Sequence, residues 1–386
     1  MVPAANGRSI GATTHRPELR NRTAKRARTW LAAAFLLPLF GGCVSLGEET
    51  RAGIYRVRPD GGALTRIAEE PAIPVWSPDG TAIAWAGERA IWFALLPDLN
   101  PNQVVSSPRP GTPAWKPDGS GIAFVDNEER ALSIVSLDGG ERVVVPLLSD
   151  ALHENGAFLP LRNTPSWSPD GGRLVLIAWD GNGDEVYAVN ADGRELRRIS
   201  SVRASGELID GNNRNGPTRA IADAARPDWS PNGELVAFAL IPEVARSTGG
   251  LYLVDAEGGR SQRRQTRLVP IAGPSWSPDG RSLLFVARNS GGSDIYLFFP
   301  ERRTLRNLTD RNILVPSDAA WSPDGLEVVF SADGAVYRLD VATERAELVA
   351  DTPLVDLSPK WSPDGEWIAF RAEPDFFRQS SLPPIP

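Results

Sequence analysis

Six aspartates recur at one position of a repeated pentapeptide, and they are the most regular chemistry-bearing side chains in this 386-residue chain. Carboxylate oxygens are the ligands that hard cations such as Ca²⁺ prefer, so a ring of six would form a candidate metal site. Aspartate also suits a tight turn, and we favour this role over metal binding. The six are Asp79, Asp118, Asp170, Asp279, Asp324 and Asp364, and Asn232 takes their place in one further copy.

A second set of polar side chains lies in two long connecting segments, residues 146–164 and 201–226. Long connections on a rigid scaffold are the usual seat of function, although loops also tolerate insertions that bind nothing. In the first segment His153 stands beside Glu154, which is the pairing a histidine-based lyase would need, whereas a solvated loop histidine needs no partner. The candidate partner-binding residues are Asp150, His153, Glu154, Asn155, Glu207, Asp210, Asn212, Asn213 and Arg214.

Composition excludes several classes of protein. The chain has one cysteine, Cys43, and two histidines, His15 and His153, so an internal disulfide and a Cys/His zinc site are both excluded. Residues 1–42 carry seven Arg or Lys and one Glu, which leaves the remainder of the chain at −13. An acidic body argues against nucleic-acid binding, because such binding depends on Lys and Arg neutralising phosphates. The sequence predicts no cofactor.

The N-terminal region is typical of a secretory signal. Residues 1–29 are polar and basic, and residues 30–42 are apolar but shorter than the roughly 20 residues that span a bilayer. Two glycines precede Cys43, as in a bacterial lipobox, although Phe40 stands where leucine is usual. We therefore predict lipidation of Cys43 and anchoring of the chain to a membrane. An uncleaved anchor and ordinary secretion are the alternatives.

The repeated pentapeptide has the residues of a turn between two strands. In the first copy Pro78 presets φ, Asp79 tolerates the next turn position, and Gly80 accepts a positive φ. Each copy starts with tryptophan and precedes an apolar run rich in β-formers, so each predicts a strand, a turn and a strand. Two further predicted strands follow, the first of which usually carries tyrosine. The copies begin at Trp76, Trp115, Trp167, Trp229, Trp276, Trp321 and Trp361, with Lys116 and Asn232 as the two departures.

The two ends of the repeat region complete each other. The C-terminal hairpin, residues 358–371, supplies the first two strands of a repeat, and the strands at 53–67 supply the last two. Joining them closes a ring and leaves no exposed sheet edge. We therefore predict an all-β, seven-bladed β-propeller of four-stranded blades at residues 53–371, as a monomer. A signal peptide at 1–42, a tether at 43–52 and a tail at 372–386 complete the predicted organisation.

The seven pentapeptides and their following strands resemble the WD40-like propeller repeats of the TolB family, from the periplasmic Tol-Pal system. They are also similar to the propeller domains of prolyl-oligopeptidase-type peptidases. The resemblance covers residues 53–371 and implies a propeller, but propellers host many unrelated functions. TolB propellers have six blades and follow an α/β domain, whereas this sequence predicts seven blades and no such domain.

Two hypotheses about function follow. The first is a non-enzymatic lipoprotein of the cell envelope, on its periplasmic or extracellular side, that binds a protein or peptide through the two long connections. The second is a glycan-binding protein or a carbohydrate-active lyase or hydrolase that acts at the same face. Its candidate residues are Asp150, His153, Glu154, Asp210 and Arg214.

Overall fold

The computed structural model describes residues 51–375, with gaps at 130, 139–141, 147–163, 180–183, 201–219, 222–226, 242–249, 259–261, 266–267, 290–291 and 310–313. The chain divides into two units, 1–48 and 49–386, and every described residue belongs to the second. The predicted signal peptide, Cys43 and most of the predicted tail lie outside the described residues. Among the residues described, no helix is long and apolar enough to cross a membrane.

The described chain is all β, and its strands form seven antiparallel sheets, which we call blades 1 to 7. The closing blade contains β1 (Gly53–Val57) and β2 (Thr65–Ala68). Blades 1 and 2 contain β3 (Val75–Trp76), β4 (Ala82–Ala86), β5 (Ala90–Leu95), β6 (Pro101–Ser106), β7 (Ala114–Trp115), β8 (Gly121–Asp126), β9 (Ala131–Ser136) and β10 (Val143–Pro146). Blades 3 and 4 contain β11 (Ser166–Trp167), β12 (Arg173–Trp179), β13 (Asp184–Asn190), β14 (Arg197–Arg198), β15 (Ala220–Ile221), β16 (Asp228–Trp229), β17 (Leu235–Ile241), β18 (Gly250–Asp255) and β19 (Gln262–Gln265).

Blades 5 to 7 complete the ring. They contain β20 (Val269–Trp276), β21 (Leu283–Asn289), β22 (Gly292–Phe299), β23 (Thr304–Asn307), β24 (Pro316–Trp321), β25 (Glu327–Ala332), β26 (Ala335–Asp340), β27 (Ala346–Ala350), β28 (Val355–Trp361) and β29 (Ile368–Glu373). Within a blade we call the four strands a to d, in the order in which they neighbour one another. Blade 4 has a fifth strand, because β15 pairs with the end of β17 beyond β16.

Blade 7 joins the two ends of the repeat region. Its strand order is β2-β1-β29-β28, so strands a and b come from the C-terminal hairpin and strands c and d from residues 53–68. Tyr55 pairs with Phe370 in the register that Tyr337 and Phe330 adopt in blade 6. The predicted closure and the seven-bladed propeller are both confirmed.

The pentapeptides form the predicted turns between strands a and b. In the first copy the N–H of Gly80 donates to the carbonyl of Ser77 at 3.0 Å, and Gly80 has a φ of 72°. The same bond closes the two divergent copies, from Gly119 to Lys116 at 2.9 Å and from Gly233 to Ser230 at 2.8 Å. Neither replacement changes the turn, because the bond uses main-chain atoms and each glycine keeps its positive φ.

Aromatic pairs fill the space between blades. In four blades the tyrosine of strand c stacks on a phenylalanine of strand b, with ring centroids 5.5–5.9 Å apart. In blade 1 Trp92 takes the tyrosine position and pairs with Trp85 across the strands. Rings of this size bury large apolar areas. Each pair therefore connects strands b and c of its blade and adds to the apolar core between that blade and its neighbour.

The pentapeptide tryptophans also link each blade to the one before it. In five blades the indole Nε1 donates to a main-chain carbonyl of the preceding blade, at the residue before that blade's own tryptophan. The bonds run from Trp76 to Lys360, Trp115 to Val75, Trp167 to Ala114, Trp229 to Ser166 and Trp321 to Ser275, at 3.1–3.3 Å. The indole nitrogens of Trp276 and Trp361 are buried without a partner in the described part of the chain.

This difference allows a matched test of the indole bond. Trp167 and Trp276 are equally buried, at 8 % and 7 % exposed, but only Trp167 donates through Nε1. Trp167→Phe should lower the free energy of unfolding by about 1 kcal/mol more than Trp276→Phe, because it also leaves a carbonyl without its donor. Urea unfolding followed by circular dichroism measures both. Equal losses would show that the indoles act by packing alone.

Candidate functional site

The residues predicted to bind a partner lie outside the described residues. Asp150, His153, Glu154 and Asn155 fall in 147–163. The remaining five, Glu207, Asp210, Asn212, Asn213 and Arg214, fall in 201–219.

The strands that flank these segments do show what the segments connect. Strand β10 ends at Pro146 and β11 begins at Ser166, whereas β14 ends at Arg198 and β16 begins at Asp228. Both segments therefore run from strand d of one blade to strand a of the next.

The repeated aspartates each close their own turn. Asp170 Oδ1 accepts from the Ser168 hydroxyl at 2.5 Å and from the Gly172 N–H at 2.9 Å. The same hydroxyl accepts from the N–H of Arg173 at the start of strand b, at 2.9 Å. Equivalent serine-to-carboxylate bonds form at Asp79, Asp279, Asp324 and Asp364, and at the amide oxygen of Asn232. The serine hydroxyl thus accepts a hydrogen bond from strand b and donates one to the aspartate, which connects the strand to the turn.

Neighbouring turns lie against one another around the ring. A Cβ on Gly80 would lie 3.6 Å from the Cδ of Pro363, which belongs to the turn of the preceding blade. The same contact recurs for Gly171 with Pro117, Gly233 with Pro169, Gly280 with Pro231 and Gly325 with Pro278. Even so, no three acidic, histidine or cysteine side chains in the described residues are placed to hold a metal ion. The carboxylates are neighbours in the ring, and each is engaged locally.

These hydrogen bonds set the ionisation of the carboxylates. The serine hydroxyls, followed by local N–H donors, lower the pKa of Asp79, Asp170, Asp279 and Asp324. In blade 2, where lysine replaces serine, a hydrogen bond from Lys116 is the main cause that lowers the pKa of Asp118 to about 2. Donors that favour the charged form keep these five carboxylates ionised at neutral pH.

The role of Asp279 can be tested by two substitutions. Asp279→Asn keeps an oxygen that accepts from Ser277 and Arg281, as Asn232 does in blade 4, so stability should change by less than about 0.5 kcal/mol. Asp279→Ala removes both acceptors and should cost about 1 kcal/mol. Chemical unfolding measures each variant. Equal losses from the two would contradict the turn role and favour a role that needs the charge.

A carboxylate outside the turns is buried near the start of strand a in blade 7. Asp356 is fully buried and accepts from the Thr352 N–H at 2.8 Å and the Thr352 hydroxyl at 2.6 Å. Burial outweighs these bonds and raises its pKa to about 6. A raised pKa means that the folded state binds the extra proton between about pH 4 and pH 6, so ionisation of Asp356 weakens the fold as pH rises through that window.

The loss of stability on ionisation of Asp356 can be measured. Between pH 4 and pH 7 the wild-type chain should lose about 3 kcal/mol of unfolding free energy relative to Asp356→Asn, which has no charge to bury. Asp324→Asn is the control, because the pKa of Asp324 is lowered and its carboxylate stays ionised throughout this window. Parallel pH profiles for wild type and Asp356→Asn would show that Asp356 titrates normally.

A charged cleft lies at one end of blade 6. It has a volume of about 230 Å³ and contains a network of ion pairs centred on Arg338. Arg338 Nη1 lies 3.0 Å from Glu327 Oε1, and Nη2 lies 2.7 Å from Glu347 Oε2. Burial raises the pKa of Glu327 despite its ion pair. The cleft is lined by Glu327, Arg338, Asp340, Thr343, Arg345 and Glu347.

This group of charged side chains was not predicted from the sequence. One signal was present: an arginine directly follows the strand c tyrosine only in blades 6 and 7, at Arg338 and Arg56. The residue after that tyrosine is apolar in the three other blades that have one, as at Leu297 of blade 5.

Seven antiparallel sheets, six of four strands and one of five, are closed by strands from both ends of the repeat region and define a seven-bladed β-propeller. Residues 208–375 match the family described as the TolB beta propeller domain. The chain is 31% identical to the Tol-Pal system protein TolB of Bordetella pertussis over 134 residues, which is 34% of this chain and 26% of that protein. The chain is therefore a seven-bladed β-propeller whose C-terminal part is similar to the TolB propeller. The matched region spans about a quarter of that relative.

Solved structures share the fold. The putative TolB from Agrobacterium tumefaciens aligns with a TM-score of 0.51 at 18% identity, covering 85% of this chain and 100% of that one. The oligogalacturonate lyase from Vibrio parahaemolyticus aligns with a TM-score of 0.60 at 15% identity, covering 84% of this chain and 99% of that one. At these identities the likeness concerns the fold alone.

Proposed function

We propose that this chain is a non-catalytic scaffold of the bacterial cell envelope that binds a protein or peptide. The similarity to TolB proteins supports the class of function. The observation that carries the proposal is the placement of the two longest connections, between blades 2 and 3 and between blades 3 and 4. Both leave consecutive blades of one ring, and long connections on such a scaffold are the usual seat of recognition, so we assign partner binding to these two segments.

Cys43 gives this scaffold its location. The basic segment, the short apolar segment and the two glycines before Cys43 support export and lipidation. A lipid on Cys43 would hold the propeller at a membrane, on the periplasmic or extracellular side of the envelope. The tether at residues 43–52 would then separate the ring from the bilayer.

The proposal is tested by cross-linking pull-down from envelope membranes. The full chain is the bait, beside a variant in which short Gly-Ser linkers replace residues 147–163 and 201–219. A partner captured only by the intact chain is the expected result. A control variant with residues 242–249 shortened, between β17 and β18, should capture the same partner.

Capture of the partner by all three baits would show that the two connections are not needed for binding. Capture by none would contradict a protein-binding role and favour a glycan ligand, which a glycan array would then identify. The glycan hypothesis uses Asp150, His153, Glu154, Asp210 and Arg214, and it stays a prediction for this chain.

A further inference from the structure

Two arginines occupy equivalent positions in neighbouring blades but have different surroundings. Arg338 of blade 6 and Arg56 of blade 7 each follow the tyrosine of strand c. Arg338 is paired across the sheet with Glu347 and also reaches Glu327, which starts strand b. A guanidinium at this position can therefore form ion pairs with two carboxylates of its own blade.

Blade 7 supplies neither carboxylate. Thr65 stands opposite Arg56 where Glu347 stands in blade 6, and Trp367 takes the position of Glu327. The guanidinium of Arg56 lies over the Trp367 ring, 4.3 Å from its centroid. The guanidinium of Arg58, which directly follows this strand, lies 5.2 Å from the same centroid. A ring face attracts a cation but accepts no conventional hydrogen bond, so the indole does not replace the two carboxylates as acceptors.

Arg56 has no ion pair and no side-chain hydrogen bond within the described chain, and its Nε is buried without an acceptor. Desolvation lowers the pKa of Arg56, as expected for a half-buried cation that no carboxylate compensates. Nη1 and Nη2 are not among the buried atoms without a partner, so these two donors stay accessible to an incoming anion.

Half-buried leucines of blade 1 lie on the same side of blade 7 as this pair. Leu96 and Leu99, which follow strand c of blade 1, pack against the same core cluster as Trp367, between blades 7 and 1. Guanidinium groups without a carboxylate, together with these leucines and the indole, form a mixed cationic and apolar surface.

We propose that Arg56, Arg58 and Trp367 bind an acidic side chain of a partner peptide that also carries large apolar residues. The peptide carboxylate takes the place that Glu347 holds in blade 6 and accepts hydrogen bonds from Arg56. Its apolar neighbours contact Trp367, Leu96 and Leu99. Charge complementarity selects this occupant, because the equivalent arginine in blade 6 is satisfied by carboxylates.

This proposal rests on the proposed function as a binding scaffold, and it adds a site built from residues outside 147–163 and 201–219. The Arg56 site lies on strands c and b of blade 7, whereas the long connections leave blades 2 and 3. The two sites can therefore fail separately: a partner lost with residues 147–163 and 201–219 identifies the connections, and a partner lost with Arg56 identifies this site.

The first test measures fluorescence anisotropy with the full chain and a labelled, C-terminally amidated peptide of four Glu-Leu repeats. Arg56→Gln should weaken binding at least tenfold, as should replacement of the peptide's glutamates by glutamine. Arg302→Gln, at an exposed arginine of blade 5, is the matched control and should bind as wild type does. Equal binding of the Glu-Leu and Gln-Leu peptides would overturn the proposal.

A second variant fills the site from within. Thr65→Glu places a carboxylate opposite Arg56, as Glu347 stands opposite Arg338. We expect it to raise the melting temperature and to weaken peptide binding at least tenfold, which separates occupation of the site from misfolding. Unchanged peptide binding by Thr65→Glu would refute the proposed contact.

Two competitors identify the source of the anion. Inorganic phosphate at ionic strength matched with chloride should displace the peptide no better than chloride does, because the site requires the apolar contacts as well. Vesicles of anionic phospholipid should bind wild type and Arg56→Gln alike. Binding of the vesicles that depends on Arg56 would replace the peptide by a membrane surface and overturn the proposal as stated.

Discussion

Neighbouring blades are joined through the pentapeptide tryptophans, and in five of the seven blades the indole donates a hydrogen bond to the main chain of the preceding blade. Each strand a is short in the first four blades, two residues in β3, β7, β11 and β16, so its own ladder offers little to hold it. The tryptophan adds a large buried ring and a directed donor, and Trp76 extends the bond across the closing seam to Lys360. Packing of the ring holds the neighbouring blade close, and the directed hydrogen bond sets its position along the strand.

The remaining residues of the pentapeptide form the turn that follows each tryptophan, and they also contribute to the contact between blades. Pro and Gly set the backbone, the serine hydroxyl binds the first N–H of strand b, and the aspartate accepts from the serine. Because five glycines pack against the proline of the preceding turn, the turns form a second line of contact between blades. The conserved chemistry of the repeat is thus used for assembly, and function is left to the positions where blades differ.

Blades 6 and 7 show how such differences arise on one backbone. Their tyrosine–phenylalanine pairs and registers match, yet Glu327 and Glu347 of blade 6 become Trp367 and Thr65 in blade 7. The first set forms an ion-pair network around Arg338, and the second leaves Arg56 on an aromatic ring. Comparison of equivalent positions in two blades therefore distinguishes residues that the propeller fold requires from residues available for binding a ligand.

The sequence by itself determined the blade count, the turns and the closing blade, because each follows from local residue chemistry repeated at fixed positions: Pro78 and Gly80 define a turn wherever they stand. It also indicated that aspartate serves the turn. Only the tertiary structure decided which tryptophans donate and which, like Trp276, are left without an acceptor, and that burial raises the pKa of Asp356. Those properties depend on which groups meet between blades, and the positions that meet are tens of residues apart in the chain.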